Sequence, residues 1–183
     1  MRCSLARMVN TKSNNTLRLL AQDHCEIESE IDRLENALFN LRYEGKRSLG
    51  RNLKQIQAVL LSFKTGLDSH FRLEEEALFP VAAKHLPKLE MLIAHLKTEH
   101  ASVNRHLETI EGSLKKLSRP KGDLYTGTDI SILREAGMYL VYLLRSHMDA
   151  ENKIVYKLIE EQLRPDEKNR ITKRLRNVQC LKV

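Results

Sequence analysis

IQAVLLSFKTGLDSHFRLEEEALFP, residues 56–80, places its apolar residues with the period of an α-helix. Ile56, Leu60, Phe63, Leu67, Phe71 and Leu78 fall on one face. His70 and Glu74 stand on that same face, one turn apart. A carboxylate on a face meant for burial is costly unless something charged meets it. Pro80 predicts a kink at the end of this helix, because it cannot donate to the carbonyl four residues back. His85-Leu86-Pro87 closes the helix.

Three further stripes flank this one. Leu17, Leu20, His24, Ile27, Ile31, Leu34, Leu38 and Leu41 form the first. Leu89, Leu92, Ile93, Leu96, His100, Val103, Leu107, Ile110, Leu114 and Leu117 form the third. Ile132, Leu133, Ala136, Leu140, Leu143, Leu144, His147, Glu151, Ile154 and Leu158 form the fourth, with Asp129 or Ser131 as its cap. Each stripe holds one histidine, and His147 repeats the His-x-x-x-Glu spacing of His70. Breakers separate the stripes: Gly45, Ser48 and Gly50, then Pro87, then Pro120, Gly122 and Gly127. Pro165 opens a short fifth helix as its first residue. Ile171, Leu175 and Val178 give that helix an apolar edge, and Lys168, Arg170, Lys173, Arg174 and Arg176 make it basic.

The spacing of the histidines tests whether they meet. In an antiparallel hairpin, residues at equal height are equidistant from the turn. The midpoint of His24 and His70 is Arg47, that of His70 and His100 is His85, and that of His100 and His147 falls between Asp123 and Leu124. All three lie on breakers. The sequence therefore predicts an all-α, up-down-up-down four-helix bundle with its four histidines at one level, followed by a short C-terminal helix. The boundaries are a lead-in over 1–12, the bundle over 13–161 and the basic helix over 162–183. At about 100° per residue, His95 and His106 point away from the His100 face and His85 sits near a turn, so these three read as surface groups. Glu75 and Glu76 read as solvated charges, and Tyr139, Tyr142 and Tyr156 as packing.

His24, His70, Glu74, His100, His147 and Glu151 are thus the candidate metal ligands. Two histidines per metal with two bridging glutamates leave an open position for a small diatomic molecule. A nitrogen and oxygen set without thiolate suits two iron ions, oxo- or hydroxo-bridged, with manganese as the rival. Zinc fits a four-coordinate site better. Ferritin-like proteins carry Glu before His, as E-x-x-H, and match less well.

The bulk properties agree with a globular domain: 42% hydrophobic residues, 30% charged residues and a net charge of +7. There is no apolar run long enough to span a membrane. No secretory leader is visible at the N-terminus, which reads as cytoplasmic. The five tyrosines and four phenylalanines are not interleaved with basic residues, which argues against nucleic-acid binding. The basic C-terminal helix is a candidate docking site for an acidic protein partner. Cys3, Cys25 and Cys180 form no C-x-x-C motif and read as reduced thiols, with Cys25 buried and inert.

Taken together, these residues resemble the hemerythrin family in its HHE cation-binding branch. His70-Phe71-Arg72-Leu73-Glu74-Glu75-Glu76-Ala77-Leu78-Phe79-Pro80 matches its H-F-x-x-E-E-x-x-L-F-P signature. Asp23-His24, Glu99-His100 and His147-Met148-Asp149-Ala150-Glu151 match the other ligand segments, and the likeness covers roughly residues 15–161. The resemblance implies a four-helix bundle around a non-haem di-iron centre that binds oxygen, nitric oxide or peroxide. Members store or sense oxygen, sense iron, or help repair damaged iron centres. Two departures from the oxygen carriers stand out. Leu96 and Asn104 flank His100, so the third helix lacks H-x-x-x-H, and Asn152 occupies the position of the bridging aspartate. The four-His, two-Glu pattern is closer to the branch linked to nitrosative stress. It leaves open a binding or sensing protein and a di-iron enzyme or iron donor in oxidative or nitrosative stress defence.

Overall fold

The computed structural model describes residues 17–43, 48–118 and 127–180. The expected lead-in, Cys3, the turn residues Gly45 and Arg47, and the loop around Pro120 and Gly122 lie outside them.

Helix α1 (Arg18–Tyr43) is followed by α2 (Leu49–Leu73). A π-helical turn (Glu74–Leu78) carries α2 into α3 (Phe79–His85), and a 3₁₀ turn (Pro87–Leu89) leads to α4 (Glu90–Leu117). The fourth rod is α5 (Gly127–Ala150), a second π turn (Glu151–Tyr156) and α6 (Lys157–Gln162). Helix α7 (Pro165–Cys180) is last. Each rod packs on two neighbours, α1 on α2 and α5, and α4 on α2 and α5, which closes a four-helix bundle. The expected all-α bundle is the observed fold.

The first three stripes are buried as their periods predict, apart from a half-buried Leu92. Close approach of α1 and α5 depends on Gly137, where a Cβ would lie 2.6 Å from a Leu38 methyl. Across the same seam Arg145 contacts Glu28, Asp32 and Glu35, three carboxylates on successive turns of α1. These exposed pairs add little individually and act as a network.

The fourth stripe departs from its expected period where a π turn interrupts it. Ile154 is exposed while Val155, Tyr156 and Ile159 are buried. A π turn inserts one residue into the helical period and slips the buried face by one position. At the other π turn, the Phe79 amide donates to the Glu74 carbonyl five residues back. Pro80 follows at the start of α3, which runs on to His85, the expected close of this helix. Ile132 is also exposed, because Leu133 takes the inward place. Helix α5 begins at Gly127, ahead of the expected cap, and Asp129 lies in its first turn, where its charge favours the helix dipole.

The buried apolar residues form two clusters. One runs from Ile27 to Met148 through the half of the bundle nearer the α1–α2 connection. The other gathers Leu17, Leu20, Leu73, Leu78, Phe79, Leu96 and Tyr156 with Ile171 and Leu175 of α7. Helix α7 therefore packs its apolar edge onto the π turn that starts at Glu74, as well as onto α3. Cys25 is half-buried and disulfide-bonded, not the buried inert thiol expected, since an odd cysteine count still permits one pair. Cys180 is free and exposed. Among the described residues no helix is long and apolar enough to cross a membrane.

Candidate metal centre

His24 comes from α1, His70 from the last turn of α2, His100 from the middle of α4 and His147 from the last turn of α5. Glu74 and Glu151 are each the first residue of a π turn. All six lie between the two apolar clusters, and none is more than 3% exposed. The structure brings them together as two overlapping groups, His24, His70, Glu74 and Glu151, and Glu74, His100, His147 and Glu151. Within each group the ligand atoms lie within 4.8 Å of one another. His95 is exposed, while His85 and His106 are half-buried, and none of the three enters the cluster. His85 instead pairs with Glu167 of α7 at 2.9 Å.

Hydrogen bonding fixes how the imidazoles face. His24 Nδ1 lies 3.1 Å from Asn152 Oδ1, and His70 Nδ1 lies 3.3 Å from Asp23 Oδ2. His100 Nδ1 lies 2.6 Å from Glu75 Oε1, and His147 Nδ1 lies 2.9 Å from Glu99 Oε2. Each partner is an acceptor, so each Nδ1 carries the hydrogen and donates. The four Nε2 atoms then present lone pairs inward. His24 and His70 Nε2 are 2.9 Å apart, and His100 and His147 Nε2 are 3.0 Å apart. Two lone pairs cannot bond one another at that distance.

The carboxylates sharpen the conflict. Glu151 Oε2 is 3.3 Å from His24 Nε2 and Glu151 Oε1 is 3.2 Å from His147 Nε2. Glu74 lies 3.6 Å from His70 Nε2 and 3.5 Å from His100 Nε2. Despite this closeness, Glu74 Oε2 and both Glu151 oxygens have no aligned hydrogen bond. The atoms point at common centres and not at each other. Buried acceptors of this kind need positive charge, and protons are one source. Burial opposes charge on His147, but Glu151, Glu74 and Glu99 outweigh it and raise the pKa to about 9. His70 is raised in the same way, with burial overcome chiefly by Glu74. Glu151 is held far below the usual carboxylate range, because His147 and His24 outweigh its burial. Divalent cations are the other source, and they suit a ring of imidazole nitrogens and carboxylates better than protons do. The donor set fits a metal pair.

Three acidic side chains and one amide around the histidines escaped the sequence reading. Glu75 is not a freely solvated charge; it holds His100. Asp23, Glu99 and Asn152 play the same part for His70, His147 and His24. Tyr156 also departs from its expected packing role. Its ring stacks on His24 at 5.3 Å, and its hydroxyl donates to Glu74 Oε1 at 2.7 Å. The same oxygen is 3.3 Å from His24 Nε2. Burial, then the charges of Glu74 and Glu151, push the phenol pKa well up, so it stays protonated. In an α-helix the fifth residue after Glu151 would point about 140° away; the π turn brings it inward.

One sequence signal would have found these residues. The two hairpins carry the same pattern, an acidic residue before the first histidine and then H-x-x-x-E-(E/N)-x-x-x-(F/Y). Asp23-His24 corresponds to Glu99-His100, and His70, Glu74, Glu75 and Phe79 correspond to His147, Glu151, Asn152 and Tyr156. The geometry follows: Phe79 lies over His100 at an interplanar angle of 15°, as Tyr156 does over His24.

A four-helix bundle with buried, overlapping clusters of histidine and glutamate at one level defines a class, the helical proteins that bind metal cations. The hemerythrin HHE cation-binding domain matches residues 15–159, and the chain belongs to that family. No curated protein matches the chain significantly.

Proposed function

We propose that this hemerythrin-like protein holds two iron ions and binds or senses oxygen, nitric oxide or peroxide. The observation that carries this reading is the ring of inward acceptors at one level of the bundle. A set of nitrogen and oxygen donors without thiolate suits iron, and manganese is the rival metal.

In this reading His24 and His70 would hold one ion and His100 and His147 the other, and Glu74 and Glu151 would serve both. When bound, the iron pair supplies a redox-active position for a small ligand. The rings of Phe71 and Phe79 cover His100 and that of Tyr156 covers His24, while Asp23, Glu75, Glu99 and Asn152 orient the imidazoles. Signal transfer would use α7. It packs on the π turn that begins with Glu74 and exposes Arg170, Lys173, Arg174 and Arg176 to an acidic partner.

The test is an optical spectrum of iron-loaded protein under air, after dithionite and after nitric oxide. An oxo-bridged near-ultraviolet band should bleach on reduction, and a new absorption should appear with nitric oxide. Iron-loaded protein whose spectrum ignores all three treatments would refute the ligand-binding role.

A further inference from the structure

A groove of about 290 Å³ runs between the start of α1 and α7, and no residue of the metal cluster lines it. Arg18, Leu19 and Gln22 form the α1 wall, and Leu175, Arg176 and Gln179 share the face of α7 that forms the other. Leu175 is buried and Leu19 half-buried, which makes the floor apolar, while both arginines are exposed. Arg33, Arg72, Arg145 and Arg164 each meet a carboxylate. Among the described residues, Arg18 and Arg176 meet none, and no carboxylate lines the groove. Gln22 donates to Glu26 at 3.4 Å, and Glu26 lines a separate groove between α1 and α2. Residues 1–16 hold no Asp or Glu, so the segment before α1 brings no counter-charge either. Two guanidiniums lining one groove repel each other until an anion meets both. Their planar forks match phosphate and carboxylate oxygens. A carboxylate brings one charge, whereas a phosphate monoester brings about −1.5 to −2 and three acceptor oxygens. The groove is larger than a bare anion needs and sits at the low end of small-molecule sites, about 300–1,000 Å³.

We propose that the groove between α1 and α7 binds a small organic phosphate, with its phosphoryl group held by Arg18 and Arg176 and its carbon body on Leu19 and Leu175. Gln179 offers a neutral donor beside them. The site is separate from the metal centre and does not depend on which metal is bound there. Arg170, Lys173 and Arg174 point to other faces of α7 and take no part. Leu175 belongs to the same apolar cluster as Leu17 and Leu20 of α1, and α7 packs on the π turn that begins with Glu74. A ligand that bridges the groove therefore ties α7 to α1, and stabilises the folded chain by mass action.

The experiment titrates the full chain, as purified, with phenyl phosphate, inorganic phosphate and benzoate by calorimetry, with optical spectra recorded alongside. Phenyl phosphate should bind once per chain and more tightly than either inorganic phosphate or benzoate. Arg18→Gln and Arg176→Gln should each weaken it roughly tenfold to a hundredfold, the loss of a hydrogen bond between charged groups. Arg174→Gln, off the groove, should leave the affinity unchanged. Four results would overturn the inference: no binding of phenyl phosphate, benzoate binding as tightly, equal losses in Arg174→Gln and Arg176→Gln, or a phosphate-induced spectral change that persists in Arg18→Gln. The third would mean a diffuse basic surface and the fourth an anion on the metal. Vesicles containing phosphatidic acid separate a lipid headgroup from a soluble ester. The protein should stay in the supernatant, and sedimentation with them that Arg18→Gln abolishes would overturn the small-molecule assignment.

Discussion

The His24/His70 and His100/His147 positions share two carboxylates and differ at two polar neighbours, Asn152 against Glu75 and Tyr156 against Phe79. Glu74 and Glu151 belong to both groups, whereas each histidine serves one. The partners of the histidines are more private still, one acceptor to one Nδ1. The site is thus layered from shared to private, and the damage done by a substitution should follow that order.

Removing a shared carboxylate should break both positions at once. Glu74→Ala or Glu151→Ala is expected to take bound iron from about two per chain to near none, measured by metal analysis after desalting. Retention of one iron would mean that the carboxylates do not bridge. Removing a histidine should break one position and spare the other. His70→Ala and His147→Ala should each leave about one tightly held iron. Equal loss of both would show that the two positions cannot be filled separately.

The outer acceptors come next. Glu75→Ala and Glu99→Ala should weaken metal binding by roughly 10- to 100-fold in competition with a chelator. Asn152→Ala should fall at the low end, because a neutral amide polarises the imidazole less than a carboxylate does. If all three cost the same, the charge difference between the two sides has no consequence.

The smallest effect concerns the metal-free protein. The pKa of His147 is raised to about 9 in the folded chain against 6.5 for the free group. A raised pKa stabilises the fold below the unfolded value, and that contribution is lost as pH climbs through the folded value. Metal-free protein should therefore lose thermal stability between about pH 6.5 and pH 9. Metal-loaded protein should not, because cations have replaced the protons. A flat profile for the metal-free form would mean that the cluster is not held by protons.

The sequence was most readable where helices are regular. From Ile27 to Leu67, and along α4, a step of about 100° per residue is enough to assign buried positions. The midpoints between His24, His70, His100 and His147 brought the six inward residues to one depth without any contact information. Reading failed where that period fails. The π turns after His70 and His147 change the phase, so Ile154 was placed inside and Tyr156 was given no polar task. Glu75 was misread for a different reason. Its partner, His100, is on another helix, and a side chain that leaves its own apolar face can still be claimed by a neighbour. The repeated pattern from His70 to Phe79 and from His147 to Tyr156 held that information, but only a comparison of the two hairpins reveals it.

Anaerobic titration of metal-free protein with ferrous iron, followed by calorimetry and proton release, tests the central claim most directly. A site built from lone pairs, and balanced by protons until metal arrives, should saturate at two ions per chain and release protons as it fills. Saturation at one ion, or uptake without proton release, would contradict a paired centre shared by Glu74 and Glu151.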